Sequence, residues 1–381
     1  MRTTWRWCLA ACAALIPFRP GPAPAEEIVV SHYADLMYGT PWAVALKKGF
    51  LKARGVDVTG FVSSDGGGTT IRNIMAGGLP YAEVALSAAV GAIQDGIPLR
   101  IVDGAVNNAA DLVWVVLPGS KLQSIKDMAG HKLAFTRAKS TTELFAILCL
   151  RAAGVDPATV TRLPLGTMGG GLTAMVQGAV DAAPELEPLV SRNEGKYRIL
   201  FSAADILPPI TQHVGVASAD FLRDHPDTVR ALILARQDGV AYIYAHPDEA
   251  AEIEAEALDI PVPVAKRAIR RLVAAHYWSD GRLDYDAMAR SVAGLHAIGA
   301  FPTAKVDWSA MVDESALPSE LRSVPGAVKS GSNALGEGTQ SASTLGTSIP
   351  GGSIPGVGAP ASATAGSPPG GGATASASSK P

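Results

Sequence analysis

The chain has 381 residues, of which 48% are hydrophobic and 18% charged, and its formal net charge is −3. That balance fits a folded, polar-surfaced protein with room for two lobes, and it lacks the basic bias of a nucleic-acid or anionic-membrane binder. The three cysteines, Cys8, Cys12 and Cys149, are too few and too scattered for a disulfide framework or a cysteine-based metal site.

Residues 1–25 read as an export signal: Arg2 and Arg6, a largely apolar run from Trp7 to Phe18, then Ala23-Pro24-Ala25 before Glu26. The run is too short to span a bilayer, so cleavage after Ala25 is expected. A lipoprotein box at Leu9-Ala10-Ala11-Cys12 lies so near Met1 that almost no apolar core precedes it. The expected mature N-terminus is therefore an unlipidated Glu26, and Cys149 is the one cysteine left. Its neighbours Leu144, Ile147, Leu148 and Leu150 form a helical pattern that buries an inert thiol.

Glu27 to Tyr33 reads as a first strand. Thr40 and Pro41 then open a helix to about Gly49, placed where an N-cap and a first helical residue belong. Gly55 turns the chain into a second strand with Val56, Val58, Phe61 and Val62. Ser63-Ser64-Asp65-Gly66-Gly67-Gly68-Thr69-Thr70 follows, before a helix-like run with Ile71, Ile74 and Met75. Three glycines at a strand-to-helix turn let the backbone bring its N–H groups against a bound group, and the helix start adds its own unsatisfied N–H groups. The spacing matches neither the dinucleotide fingerprint nor the P-loop. A strand from Ala82 to Leu86 follows, with Ser87 as N-cap of a helix to Gln94. Strands from Leu99 to Ala105 and Asp111 to Leu117 come next, with Asn107-Asn108-Ala109-Ala110 between them.

The logic then repeats. Lys132 to Thr136 is a strand, and Ser140-Thr141-Thr142-Glu143 is a capping box opening a helix to about Ala153. Val160 to Leu165 is a strand, Gly169-Gly170-Gly171 a second glycine triplet, and Leu172 to Gln177 its helix. Val180 to Ala183 is a strand leading into Pro184-Glu185-Leu186-Glu187-Pro188, and Tyr197 to Ser202 another. His213 to Ser218 reads as a strand able to return to the first lobe. Helices follow from Pro226, Pro247, Val264 and Asp284, and they are expected to finish the first lobe. Two similar halves with glycine-rich turns imply an α/β protein of two lobes facing each other. The expected organisation is 1–25 signal, 26–108 first part of lobe 1, 109–212 lobe 2 and 213–318 return to lobe 1. Residues 319–381, rich in Ser, Gly, Pro and Ala, have almost no large apolar residue to bury and are expected to be a disordered tail.

Several runs together resemble the nitrate/sulfonate/taurine group of periplasmic solute-binding proteins, the receptor subunits of ABC importers. They are Trp42 to Leu51 with Gly55-Val56, Met75-Ala76-Gly77-Gly78, Ile93 to Leu99, Ser124 to Gly130, and Gln177 to Ala182 ending in Glu187-Pro188. The resemblance covers most of the chain between the signal and Pro318. It implies the two-lobed periplasmic-binding-protein fold, type II-like, with the ligand in a cleft between lobes joined by two hinge strands. It also implies a small-molecule solute, an ABC permease as partner, a periplasmic location and a monomer that binds no nucleic acid. The group often carries an aromatic residue just before the Glu-Pro pair, where Leu186 stands here, and the long tail is extra.

The candidate ligand contacts are the residues at the strand ends. In the first half these are Tyr38, Gly39 and Thr40, then Asp65, Gly67, Gly68 and Thr69, then Ser87. In the second they are Arg137, Ser140 and Thr141, then Gly170, then Glu185 and Glu187, with His213 a lesser candidate. Thr40, Ser87 and Ser140 read equally as helix caps, Arg137 as a surface cation, Asp65 as a turn former and Glu187 as a helix-start acid. No catalytic set, metal site or cofactor motif emerges, so the chain is expected not to be an enzyme. The alternatives are a ligand-sensing partner of a membrane sensor, or an enzyme on the same fold such as a thiamine-pyrimidine synthase. One mature cysteine cannot supply that enzyme family's cysteine-rich motif. Anion-seeking helix starts and Arg137 beside three carboxylates favour a zwitterionic or donor-bearing solute over nitrate.

Overall fold

The computed structural model describes residues 26–138 and 140–323. The signal segment and residues 324–381 of the tail lie outside the described residues. In chain order the elements begin with β1 (Glu26–Ser31), α1 (Thr40–Lys47), α2 (Phe50–Ala53), β2 (Val58–Ser64), α3 (Gly67–Gly77), β3 (Ala82–Ala85), α4 (Leu86–Gln94) and β4 (Leu99–Val106). The second lobe holds β5 (Leu112–Val116), β6 (Lys132–Phe135), α5 (Thr141–Ala152), β7 (Thr161–Pro164), α6 (Met168–Val176), β8 (Ala183–Leu186), α7 (Leu189–Arg192), β9 (Arg198–Ser202) and α8 (Ala203–Ile206). The chain then returns through β10 (His213–Ser218), α9 (Ala219–Asp224), α10 (Pro226–Ala245), α11 (Pro247–Ala257), α12 (Val262–Ala274) and α13 (Tyr285–Ala297).

The first-lobe sheet has the order β2-β1-β3-β10-β4, in which β1 is parallel to β2 and β3, while β10 enters antiparallel to both neighbours. Ile28, Val29 and Val30 are fully buried, the mark of a parallel strand covered by helices on both faces. In the second lobe β5 lies between β8 and β9, antiparallel to each, and β6 pairs parallel with β7. A bridge from Leu133 to Ala182 joins these two pieces, giving the order β7-β6-β8-β5-β9. The architecture is the two-lobed periplasmic-binding-protein fold that the sequence implied. Helices α10 and α11 pack on α1, so this part of the helical block belongs to the first lobe.

Two crossings, after β4 and before β10, connect the lobes, and they are tied together. Gln212 Nε2 donates to Asn108 O at 2.7 Å and to Asp111 Oδ1 at 2.7 Å, and its backbone N–H donates to Val106 O at 2.8 Å. Burial pushes the Asp111 carboxyl up to about 6, against the hydrogen bond from Gln212.

Several boundaries differ from expectation. Both glycine-rich helices begin earlier than expected, α3 inside its glycine run at Gly67 and α6 just ahead of its triplet at Met168, instead of after them. A Cβ at Gly67 would lie 2.2 Å from Ala88 Cβ, so glycine is what lets α3 and α4 approach this closely. Helix α4 begins at Leu86 with Ala85 at its N-cap, so Ser87 lies in its first turn and does not cap it. Strand β8 lies three residues later than the expected run, and residues 319–323, assigned to the tail, are packed. Leu321 is buried, Arg322 Nε donates to Leu317 O at 2.9 Å, and Ser323 N donates to Glu314 Oε2 at 3.0 Å.

Candidate functional site

Between the lobes lies a cleft of about 860 Å³. The first lobe lines it with the segments that follow β1 (His32, Asp35, Leu36, Tyr38), β2 (Asp65 to Gly68) and β3 (Ala85, Ser87, Ala88), and with His213 at the start of β10. The second lobe contributes Leu112, Thr136, Arg137, Ser140 to Thr142, Gly166 to Gly169, and the stretch Leu186, Pro188, Leu189 and Arg192. Leu258 and Ile260 come from the loop ahead of α12. These are the carboxyl ends of the parallel strands and the helix starts that follow, the crevice in which open α/β sheets place ligands. A wider, more open groove of about 1420 Å³ runs along α10, α13 and residues 308–323, but its lining comes from the first lobe and its crossing alone.

Hydroxyl groups fix these strand ends. Thr70 on α3 bonds Ser31 at the end of β1, 2.6 Å away, and Ser64 at the end of β2, 2.5 Å away, knotting two loops to one helix. Across the cleft Thr136 N donates to Thr142 Oγ1 at 3.0 Å, and the Thr136 hydroxyl reaches Ser140 Oγ at 3.2 Å. Side chains cap α5 through Ser140 and α6 through Thr167, whereas α3 and α4 have no side-chain cap. The α3 start therefore presents Gly67 and Gly68 to the cleft at an uncapped, dipole-positive end. On the floor the Tyr38 and His213 rings lie 3.9 Å apart, and burial, with His32 and Arg236 nearby, holds the imidazole down at about 3.

A family model described as NMT1/THI5 like matches residues 37–250, more than half of the chain. The chain belongs to the NMT1/THI5-like family. The riboflavin-binding protein RibY of Chloroflexus aurantiacus is 22% identical over 264 residues, covering 64% of this chain and 73% of RibY. Among solved structures, the periplasmic aliphatic sulphonate-binding protein SsuA from Escherichia coli matches with a TM-score of 0.64 at 18% identity, covering 76% of this chain and 92% of SsuA. The alkanesulfonate-binding SsuA from Xanthomonas axonopodis pv. citri, bound to MOPS, matches with a TM-score of 0.62 at 16% identity, covering 77% of this chain and 99% of that one. At these identities the structural likeness concerns the fold.

Within this NMT1/THI5-like frame, Tyr38, Asp65, Gly67, Gly68, Ser87, Arg137, Ser140 and Thr141 all line the cleft. Six other candidates do not. Gly39 packs on Tyr33, where a Cβ would come within 2.4 Å of the ring. Thr40 is buried and donates to Met37 O and Glu254 Oε1, both at 2.9 Å. Thr69 accepts from Arg72 at 2.9 Å, and the Gly170 N–H is taken by Thr167 Oγ1 at 3.0 Å. Glu185 and Glu187 point to the opposite side of β8, because side chains alternate along a strand and Leu186 takes the cleft face. They enter a smaller cavity of about 340 Å³ with Arg267, Arg270 and Arg271. There Asn193 Nδ2 donates to Glu185 at 2.6 Å and the Ser191 hydroxyl to Glu187 at 3.1 Å. Burial pushes Glu185 up to about 7 and raises Glu187.

The sequence reading missed His32, Asp35, Thr136, Thr142, Thr167 and Arg192 as lining residues. Thr136 and Thr142 had a signal, since they flank Arg137 and Ser140. Arg192 had none beyond its place after the Glu-Pro pair. Among the described residues no group of three or more His, Cys, Asp or Glu side chains could hold a metal ion.

Proposed function

We propose that the chain is the extracytoplasmic solute-binding receptor of an ABC importer, capturing a small polar organic solute between its lobes. The observation that carries this reading is a cleft lined from both lobes by strand ends and helix starts, beside crossings short enough to hinge. Membership of the NMT1/THI5-like family and the fold shared with sulfonate-binding receptors support it. No helix among the described residues is long and apolar enough to cross a membrane, and the proposed location follows from the expected export signal. A permease that accepts the closed form is the implied partner.

The acids available to the ligand are fewer than the sequence implied. With Glu185 and Glu187 turned away, the cleft offers Asp35 and Asp65, both exposed and both on the first lobe, against Arg137 and Arg192 on the second. That distribution suits a solute with an anionic group toward the second lobe. An amine toward Asp65 is compatible with it but is no longer demanded by a carboxylate-lined space. The test is a melting-temperature screen with an alkanesulfonate, taurine, nitrate and riboflavin, followed by calorimetry on any that stabilise. At least one should raise the melting point in proportion to the logarithm of its concentration. No shift with any of them at millimolar concentration would remove the reading.

A further inference from the structure

The cleft changes character along the order of the strands. The crossings lie at the β10, β4, β5 and β9 side of the two sheets, so β1, β2, β6 and β7 end at the far, outer side. At the outer end the lining is polar, with Asp65, Thr136, Arg137, Ser140 and Thr167. Toward the hinge apolar and aromatic side chains predominate, with Tyr38, His213, Leu112, Leu186 and Pro188, and Ile260 added by the loop ahead of α12, while the middle strands β3 and β8 are followed by the polar Ser87 and Arg192.

His213 belongs to the apolar end despite its ring nitrogens. It is 4% exposed, registers with Ala85 and Val106 in the sheet, and lies against Tyr38. Its Nδ1 is buried without a partner, so Nε2 is the polar atom the ring has left to offer the cleft. An imidazole whose proton affinity is this strongly depressed carries no charge at neutral pH. Size separates ligand classes further. A cleft of about 860 Å³ falls in the range of about 300–1,000 Å³ that encloses drug-sized molecules, far more than a bare inorganic anion fills.

We propose that the solute is an organic acid with a flat aromatic body, its acid group at the outer end against Arg137 and the Thr136 and Ser140 hydroxyls, and its body at the hinge end against Tyr38, His213 and Leu186. This rests on the receptor reading and narrows it. The uncharged imidazole of His213 then bonds a ring heteroatom or substituent through Nε2, and Leu186 gives the body a smooth wall.

Calorimetry on the full chain at neutral pH, with naphthalenesulfonate, butanesulfonate and nitrate as probes, tests it. The two sulfonates carry the same charge, so their ratio reports the body alone. Naphthalenesulfonate should bind about tenfold or more tighter than butanesulfonate, and nitrate weakest. Leu186→Ser should narrow that ratio by about threefold or more, whereas Arg137→Gln should weaken both sulfonates by similar factors. Butanesulfonate or nitrate binding the unmodified chain as tightly as naphthalenesulfonate would overturn the inference, with no variant needed, and leave the receptor reading standing. An unchanged ratio in folded Leu186→Ser would also overturn it. No binding of any of the three would also overturn it, and the receptor reading would then rest on the taurine and riboflavin arms of the melting screen.

Discussion

Arg236 is buried in the first lobe and holds three elements together. Its Nε donates to Glu83 Oε2 at 2.9 Å, Nη1 to Ser279 O at 2.9 Å and Nη2 to Ala105 O at 3.0 Å, while Trp42 Nε1 donates to the same Glu83 oxygen at 3.0 Å. Arg236→Met keeps much of the volume but leaves an uncompensated carboxylate and two carbonyl oxygens in the core. Removing one partner of such a pair costs about 3–5 kcal/mol. At about 2 °C per kcal/mol for a chain of this size, the melting point should fall by about 6–10 °C. Arg54 and Asp238 are the control, since they also make two charged hydrogen bonds, at 2.8 and 2.9 Å, but with side chains 38% and 32% exposed. Such a pair is worth about 0–1 kcal/mol, so Arg54→Met should melt within about 2 °C of the parent. The double variant Arg236→Met/Glu83→Gln should recover part of the loss, because it removes the stranded charge. Circular-dichroism melts and urea midpoints on the four proteins decide the matter. An Arg236→Met protein no less stable than Arg54→Met, or a double variant no better than the single one, refutes the reasoning.

Other outcomes follow from the same lobe and its edge. Burial raises Asp103 to about 7 against the pull of Arg236, so the folded chain holds this proton from about pH 4 to 7 while the unfolded chain does not. That contribution to stability is complete at low pH and is lost as pH rises through 7. The melting point of Asp103→Asn should therefore gain on the parent between pH 5 and 8, and a difference independent of pH counts against it. A Cβ at Gly215 would sit 1.8 Å from Asp103 Oδ1 and 2.0 Å from the Tyr81 hydroxyl, whereas one at Gly60 meets nothing within 4 Å. Gly215→Ala should thus yield little folded protein and Gly60→Ala a near-normal melt, and equal yields and melts would contradict this. Ending the chain after Pro318 removes buried Leu321 and the Arg322 bonds to Leu317 O and Ser315 O, so the melting point should drop by several degrees. An unchanged melting point would mean those contacts contribute nothing.

Much of the fold was legible because its signals are local. Strand β10 is a five-residue buried run, His213 to Ala217, and Pro226 and Pro247 mark helix starts that the structure keeps. The misreadings have physical causes. Glycine lowers helix propensity, so both triplets read as loops, but tight packing of Gly67 on Ala88 makes glycine the residue a helix needs there. The expected strand ended at Ala183, ahead of Pro184, yet Pro184 pairs with Trp114, which a proline can do because β8 has a full ladder on one side alone. In the site, residues next to the glycine turns were found from position, whereas Glu185 and Glu187 were misdirected by their charge. Pattern would have corrected them, since the alternation Glu185-Leu186-Glu187 puts either the acids or the leucine in the cleft. The Tyr38 and His213 pair, 175 positions apart by their numbers, has no local signal.

The Gln212 bonds to Asn108 and Asp111 have a topological consequence. The polypeptide leaves the first lobe and re-enters it at nearly the same point, so the second lobe is an excursion looped out of an otherwise continuous sheet. Strands β3, β10 and β4 meet on one side of that doorway whatever lies beyond it. A length of chain inserted there is free to diverge, lengthen or be exchanged while the first lobe keeps its pairing. Half of the binding surface can therefore change its chemistry with little strain on the other half.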